Sequence, residues 1–196
     1  MYTYLRPRKA DRLVAALAGA LAVVGSSFCF AQKNYFVIPE TELRLLPPFC
    51  RTGFAGYGLN QADAAYMNHL CPGLYALNDG QRSLGNDAQR KYALQEAVDH
   101  LNYTLNHTSP AFALRSMVLI KRGNAFELQG NRAKAIADYN AAVASQPKNL
   151  LGYLSLCNAY LKIGDKKSAR DAADTGLKIK PDAKPLMACK QKAGGS

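Results

Sequence analysis

"NAFELQGNRAKAIADYNAAVASQP", residues Asn124–Pro147, is polar, rich in alanine and free of any grouping of nucleophile, base and acid. Its small and aromatic residues are nevertheless placed rather than scattered. Thirty-four residues further on the chain reads "NAYLKIGDKKSARDAADTGLKIKP", Asn158–Pro181. Asn124 and Asn158 coincide, as do Ala125 and Ala159, Gly130 and Gly164, Ala135 and Ala169, and Pro147 and Pro181; Phe126 stands where Tyr160 does. Identities that share one period mark a repeated structural unit.

From Ala111 onward the pattern is helix, turn, helix, turn, twice over. "RSMVLIKRGNAFELQ" stops at Gly130 and "NRAKAIADYNAAVASQ" stops before Pro147; "LLGYLSLCNAYLKI" stops at Gly164 and "DKKSARDAADTGLKIK" before Pro181. "DAKPLMACKQKAGGS" leaves room for one short final helix at about 184–193. Upstream, Tyr92, Leu94, Val98, Leu101 and Leu105 fall at helical spacing after Asp87. A further helix is expected from Asn60 toward Leu70, interrupted by Pro72-Gly73 and ending at Asn78-Asp79-Gly80. Residues 32–61, with Pro39, Pro47, Pro48, Gly53, Gly56 and Gly58, are expected to be an irregular arm or cap. The chain reads as all-α.

The front of the chain reads as a targeting segment. Arg6, Arg8, Lys9 and Arg12 precede the apolar run "LVAALAGALAVVGSSFCFA", which is the pattern of a secretory signal over residues 1–31, cut after Ala31. The alternative is a retained anchor, although Leu13 to Val24 is short for a bilayer span. Export would remove Cys29 and leave Cys50, Cys71, Cys157 and Cys189 in an oxidising compartment, where two disulfides are the default. Three pairings exist. Cys50–Cys71 with Cys157–Cys189 is favoured because each pair lies within one half of the mature chain.

The formal net charge is +11. The signal's four basic residues outweigh Asp11 by three, so about +8 remains in the mature chain. The excess lies late, in residues such as Lys162, Lys178, Lys180, Lys184 and Lys192. It suits acidic peptides, anionic headgroups or cell-wall polymers, and equally a solvated basic helix face. No nucleic-acid motif is present, and membrane association is expected only through a retained signal segment or the basic surface.

The 34-residue unit resembles the tetratricopeptide repeat (TPR) family, of an exported bacterial type. With Ser116 and Leu150 as first positions, the family's small eighth residue is Gly123 and Cys157. Its aromatic eleventh is Phe126 and Tyr160, and its twentieth is Ala135 and Ala169. Its twenty-fourth is Tyr139 and Ala173, its twenty-seventh Ala142 and Gly176, its thirty-second Pro147 and Pro181. Repeats at 116–149 and 150–183 match, with Cys157 and Ala173 departing from the pattern in the second; 62–110 is a divergent hairpin. The whole of 62–193 would form one helical domain.

The resemblance implies a right-handed superhelix of antiparallel hairpins, an α-solenoid, whose concave groove is lined by first helices and binds a protein or peptide without chemistry. Asn124, Asn158, Glu127, Lys162, Met117 and Leu151 would face that groove, the two asparagines at the position that bonds a ligand's backbone in peptide-binding members. Ile120 and Leu154 occupy the position where chaperone-binding members carry a basic clamp residue, so that specialised function is not expected.

Other chemistry is thin. Met67, His69 and Cys71 in "MNHLC" are soft or borderline metal ligands, but the chain has no HxxxH, CxxC or CxxCH, no GxSxG and no Gly-rich phosphate loop. No metal, cofactor or catalytic residue is expected. The expectation is a non-catalytic, periplasmic or secreted scaffold that binds a partner in the cell envelope. Alternatives are a self-assembling structural subunit using the N-terminal arm, or a small metal protein or enzyme centred on His69 and Cys71.

Overall fold

The protein is described here by a computed structural model, which covers residues 38–54 and 56–194. The segment read as a signal, residues 1–31, lies outside the described residues, as do the first six residues of the expected arm. Among the described residues all regular structure is helical. Three single-turn helices come first: α1 (Glu40–Leu43), α2 (Phe49–Thr52) and α3 (Gln61–Ala64). A 3₁₀ turn, Met67–His69, leads into α4 (Leu70–Arg82) and α5 (Asp87–His107). Then come α6 (Arg115–Leu128), α7 (Arg132–Ser145), α8 (Leu150–Lys162), α9 (Lys166–Ile179) and α10 (Lys184–Lys192).

The period is visible in the backbone. Gly130 and Gly164 both adopt the left-handed conformation, at φ 81° and 80°. This lets the next residue's N–H turn back to the helix: Asn131 bonds the Phe126 carbonyl at 2.8 Å and Asp165 that of Tyr160 at 2.9 Å. Those same two residues then cap the second helices, Asn131 accepting from the Lys134 N–H and Asp165 from that of Ser168. One glycine and one capping residue thus end a helix and start its antiparallel partner.

Hairpins α4–α5, α6–α7 and α8–α9 stack in a TPR-like row, and α10 closes on α8 and α9. First helices touch one another along the row (α4 with α6, α6 with α8, α8 with α10), whereas second helices make no comparable contact. The first helices therefore form the inner layer. The main core runs through the row with Leu70, Leu101, Val118, Ile120, Tyr139, Leu156 and Cys157, and a smaller cluster of Ala76, Leu77, Leu94, Ala97 and Ala125 lies where α4, α5 and α6 meet. Leu46 and Phe49 are buried in that main core. Phe49 meets Phe54 and Tyr57 at ring separations of 5.1 and 5.3 Å, and Glu42 pairs with Arg82 at 2.6 Å.

The first hairpin corrects the sequence expectation. α4 is not interrupted at Pro72-Gly73 and does not stop at Gly80; it runs from Leu70 to Arg82. Pro72 sits in the first turn, where its missing N–H has no carbonyl to serve. Gly73 and Gly80 lie two turns apart on the face toward α5. A Cβ at Gly80 would stand 2.7 Å from Leu94 Cδ2, and one at Gly73 would stand 3.0 Å from the His100 Cβ. Their role is close helix approach, not termination.

The tightest interlock is between Gly123 and Tyr139. A Cβ at Gly123 would lie 2.5 Å from Tyr139 Cε1, and that ring is 1% exposed. Gly123→Ala is expected to destabilise the protein by about 1–3 kcal/mol through overpacking, against a helix-propensity gain of under about 1 kcal/mol. In a Tyr139→Ala background, which copies Ala173 of the next repeat, the same change should be neutral or stabilising. Denaturant unfolding of the four variants checks this; equal costs in both backgrounds would mean the ring does not occupy that hollow.

Candidate functional site

Two stripes run along the first helices at the spacing that puts side chains on one helix face. On α6 they are Met117, Ile120, Asn124 and Glu127; on α8 they are Leu151, Leu154, Asn158 and Lys162. The structure treats them differently. Ile120 is 1% exposed and Met117 is half-buried against the main core, whereas Leu151 is 50% exposed and Asn158 and Lys162 are also exposed. The open stripe belongs to α8.

At one end of these stripes the polar residues join. The Tyr139 hydroxyl lies 2.8 Å from Asn124 Oδ1 and 3.1 Å from Glu127 Oε2, and Glu127 Oε1 accepts from Lys162 Nζ at 2.6 Å. One hydroxyl proton cannot serve two acceptors. Turning the Asn124 amide over satisfies all three groups: its NH₂ donates to the tyrosine oxygen and the tyrosine donates to the carboxylate. In either sense, one end of Asn124 braces Tyr139. Burial, and then the Glu127 charge, raise the phenol pKa, so the hydroxyl stays a donor. The chain α7–α6–α8 is thus linked side chain to side chain.

Asn158 is placed otherwise. Its Oδ1 lies 3.5 Å from Cys189 Sγ. That sulfur is in a disulfide and has no proton to donate, so the contact is packing rather than a hydrogen bond. The structure links Cys157 on α8 to Cys189 on α10 (Cα–Cα 6.4 Å) and Cys50 on α2 to Cys71 on α4 (5.7 Å).

At the other end of the α8 stripe lies an open recess of about 440 Å³. Leu150, Leu151, Leu154, Ala183, Pro185 and Leu186 form its apolar lining, and Lys180, Asp182 and Lys184 line it as well. The exposed Met187 follows on α10. A second recess of about 480 Å³, where α5 passes the end of α6, has Asp87, Arg90 and Lys91 over Leu94 and Leu128 and is more polar. Sequence reasoning named Leu151 but missed the recess, because six of its nine lining residues come from the α9–α10 link and the start of α10.

The grouping of Met67, His69 and Cys71 does not form a metal site. Met67 is buried and Cys71 is spent in the disulfide with Cys50. Instead His69 meets His100, their Nδ1 atoms 2.9 Å apart, and stacks on Tyr103, which stacks on His107. Burial lowers the pKa of both His69 and His100, the latter to about 4, with the neighbouring histidine adding to the effect.

No protein-family model and no curated protein matches this chain. Among the solved structures that resemble it are two TPR domains. One is the first TPR domain of Spaghetti (RPAP3), bound to the HSP90 peptide SRMEEVD. It is 17% identical, covers 63% of this chain and 94% of that one, and has a TM-score of 0.48. The other is the Arabidopsis OM64 TPR domain, at 16% identity, 64% and 97% coverage, and TM-score 0.48.

The recess depends on α10 staying docked. Replacing Cys157 and Cys189 together by serine opens a covalent loop of sequence separation 32, which is expected to cost about 3–4 kcal/mol. Hydrogen exchange should rise first in α10 and in the 180–184 link. Unchanged protection there would show that packing alone holds the recess.

Proposed function

We propose that this protein is a non-catalytic adaptor of the cell envelope, exported and oxidised, that holds a protein or peptide segment along its first helices. The observation that carries this reading is the uncovered α8 stripe. Leu151 and Leu154 open into an apolar recess, and Asn158 and Lys162 continue from it on the same helix face. An extended segment laid there could seat an apolar side chain in the recess and bond its backbone to the Asn158 amide. Glu127 and Lys162 would offer it a charge of either sign.

The remaining organisation follows from the same reading. Residues 1–31 act as the export signal, and four cysteines in two disulfides suit the compartment it leads to. Residues 32–61 cap the first hairpin, a role supported by the burial of Leu46 and Phe49 and by the Cys50–Cys71 link. A second reading, self-assembly, is favoured by one feature: Met187 on the last helix is 51% exposed beside the recess.

The test uses exposed positions, so that binding is separated from folding. Leu151→Asp and the pair Asn158→Ala/Lys162→Ala should keep the parent's helicity and unfolding midpoint to within about 0.5–1 kcal/mol. Cross-linked capture from the envelope fraction should recover a partner with the parent chain and lose it with both variants. Undiminished capture by both would overturn groove binding. Mass that grows with concentration in the parent and not in Leu151→Asp would favour self-assembly.

A further inference from the structure

We propose that the edge of the row formed by the links between hairpins docks on an anionic lipid surface. This goes beyond groove binding, since it uses helix ends and their links. In antiparallel hairpins the turns at Gly130 and Gly164 lie along one edge, and the links 146–149 and 180–183 lie along the other. The start of α8 and the second link meet there across the recess.

In these links and the turns that flank them, residues 143–153 and 177–187, the charged side chains are Lys148, Lys178, Lys180, Lys184 and one acid, Asp182. The four lysines are exposed, and none takes part in an ion pair among the described residues. The hairpin-turn edge is basic too, but compensated: Glu127 holds Lys162 at 2.6 Å and Asp171 holds Lys167 at 2.8 Å. Apolar side chains stand out beside the uncompensated lysines. Ile179, between Lys178 and Lys180, is 40% exposed, and Met187, one turn after Lys184, is 51% exposed. A bilayer interface takes this combination, headgroup phosphates meeting the ammonium groups and the acyl boundary meeting the apolar ones.

The donors on offer favour lipid over a protein segment. Pro181 and Pro185 have no N–H, and the N–H groups of Lys180, Ala183, Leu186 and Met187 already bond carbonyls of Gly176, Lys180 and Ala183. An extended peptide finds few backbone donors at this edge, whereas a headgroup asks only for charge. All four cations are lysine, a compact hydrated charge, rather than arginine, whose planar fork suits a carboxylate.

The experiment mixes the full chain with vesicles of equal parts phosphatidylglycerol and phosphatidylcholine, or of phosphatidylcholine alone, and reads hydrogen exchange. Anionic vesicles should slow exchange in 177–187, a readout that an N-terminal segment held in the bilayer would not by itself move, and raised salt should reverse the effect. In Lys148→Gln/Lys178→Gln/Lys180→Gln/Lys184→Gln the vesicle concentration giving half of this protection should rise at least about ten-fold. Ile179→Ser/Met187→Ser should raise it at least about three-fold. Removing the same number of charges from the other edge, in Arg132→Gln/Lys134→Gln/Lys166→Gln/Lys167→Gln, should matter much less. If the first quadruple variant loses helicity, Lys180→Gln/Lys184→Gln decides, with a rise of at least about three-fold.

Equal losses from the two edges would mean attraction to net charge alone and would overturn the proposal. So would equal protection by both kinds of vesicle, or protection by neither. Slowing that grows with chain concentration and needs no vesicles would assign the edge to a second copy instead. Asn158→Ala/Lys162→Ala should be protected as the parent is, so a failure of groove binding and a failure here are read separately.

Discussion

The ring of Tyr139 lying in the hollow left by Gly123 is the contact on which the rest of the stack depends. It sets how closely α6 and α7 approach. Because the ring is buried, its hydroxyl cannot find water and must be met by protein. Asn124 and Glu127 meet it, and Glu127 then holds Lys162 on the next hairpin. A second buried polar group works from the same pair of helices. Asp138 receives Arg122 in a two-pronged pair at 2.6 and 2.8 Å, and Arg122 reaches Asn102 on α5 at 2.8 Å. Packing brings α6 and α7 together, and hydrogen bonds from that interface extend to the hairpin on each side.

The following repeat solves the same position by other means. Ala173 stands where Tyr139 does, and Cys157 where Gly123 does. A smaller ring-position residue leaves volume, and the Cys157 side chain and its disulfide to α10 lie at that interface. At the twenty-seventh position Gly176 replaces Ala142, and Leu186 of α10 comes so close that a Cβ there would be 2.6 Å from it. These substitutions draw a short helix onto the end of the row, where a stack of hairpins would otherwise expose an apolar face. That helix completes the recess beside Leu151.

How much of this the sequence shows depends on the range of the signal. The helices from Arg115 to Ile179 are legible because repeat identity, glycine stops and Asn or Asp caps are local and agree with one another. The first hairpin is not. Pro72 and Gly80 read as breakers, since whether a glycine ends a helix or admits a neighbour depends on Leu94 and His100, far along the chain. The candidate site divides likewise. Helical spacing places Leu151, Asn158 and Lys162 on one face. It does not reveal that Ile120 is buried, that Asn124 is occupied by Tyr139, or that His69 faces His100.

Electrostatics bears on what the open stripe can select. Lys180 and Lys184 stand at the recess, and Lys162 lies two to three turns away with Glu127 beside it. At physiological salt a charge is felt over about 8 Å, so these lysines act on a partner only once it is near. On the proposed reading they would govern approach and the choice of flanking residues more than strength of holding. Strength would come from the apolar recess, where buried area counts at about 25 cal/mol per Å² and salt matters little. On that reading a partner with one apolar side chain flanked by acids would satisfy both demands, and a purely acidic segment only the first.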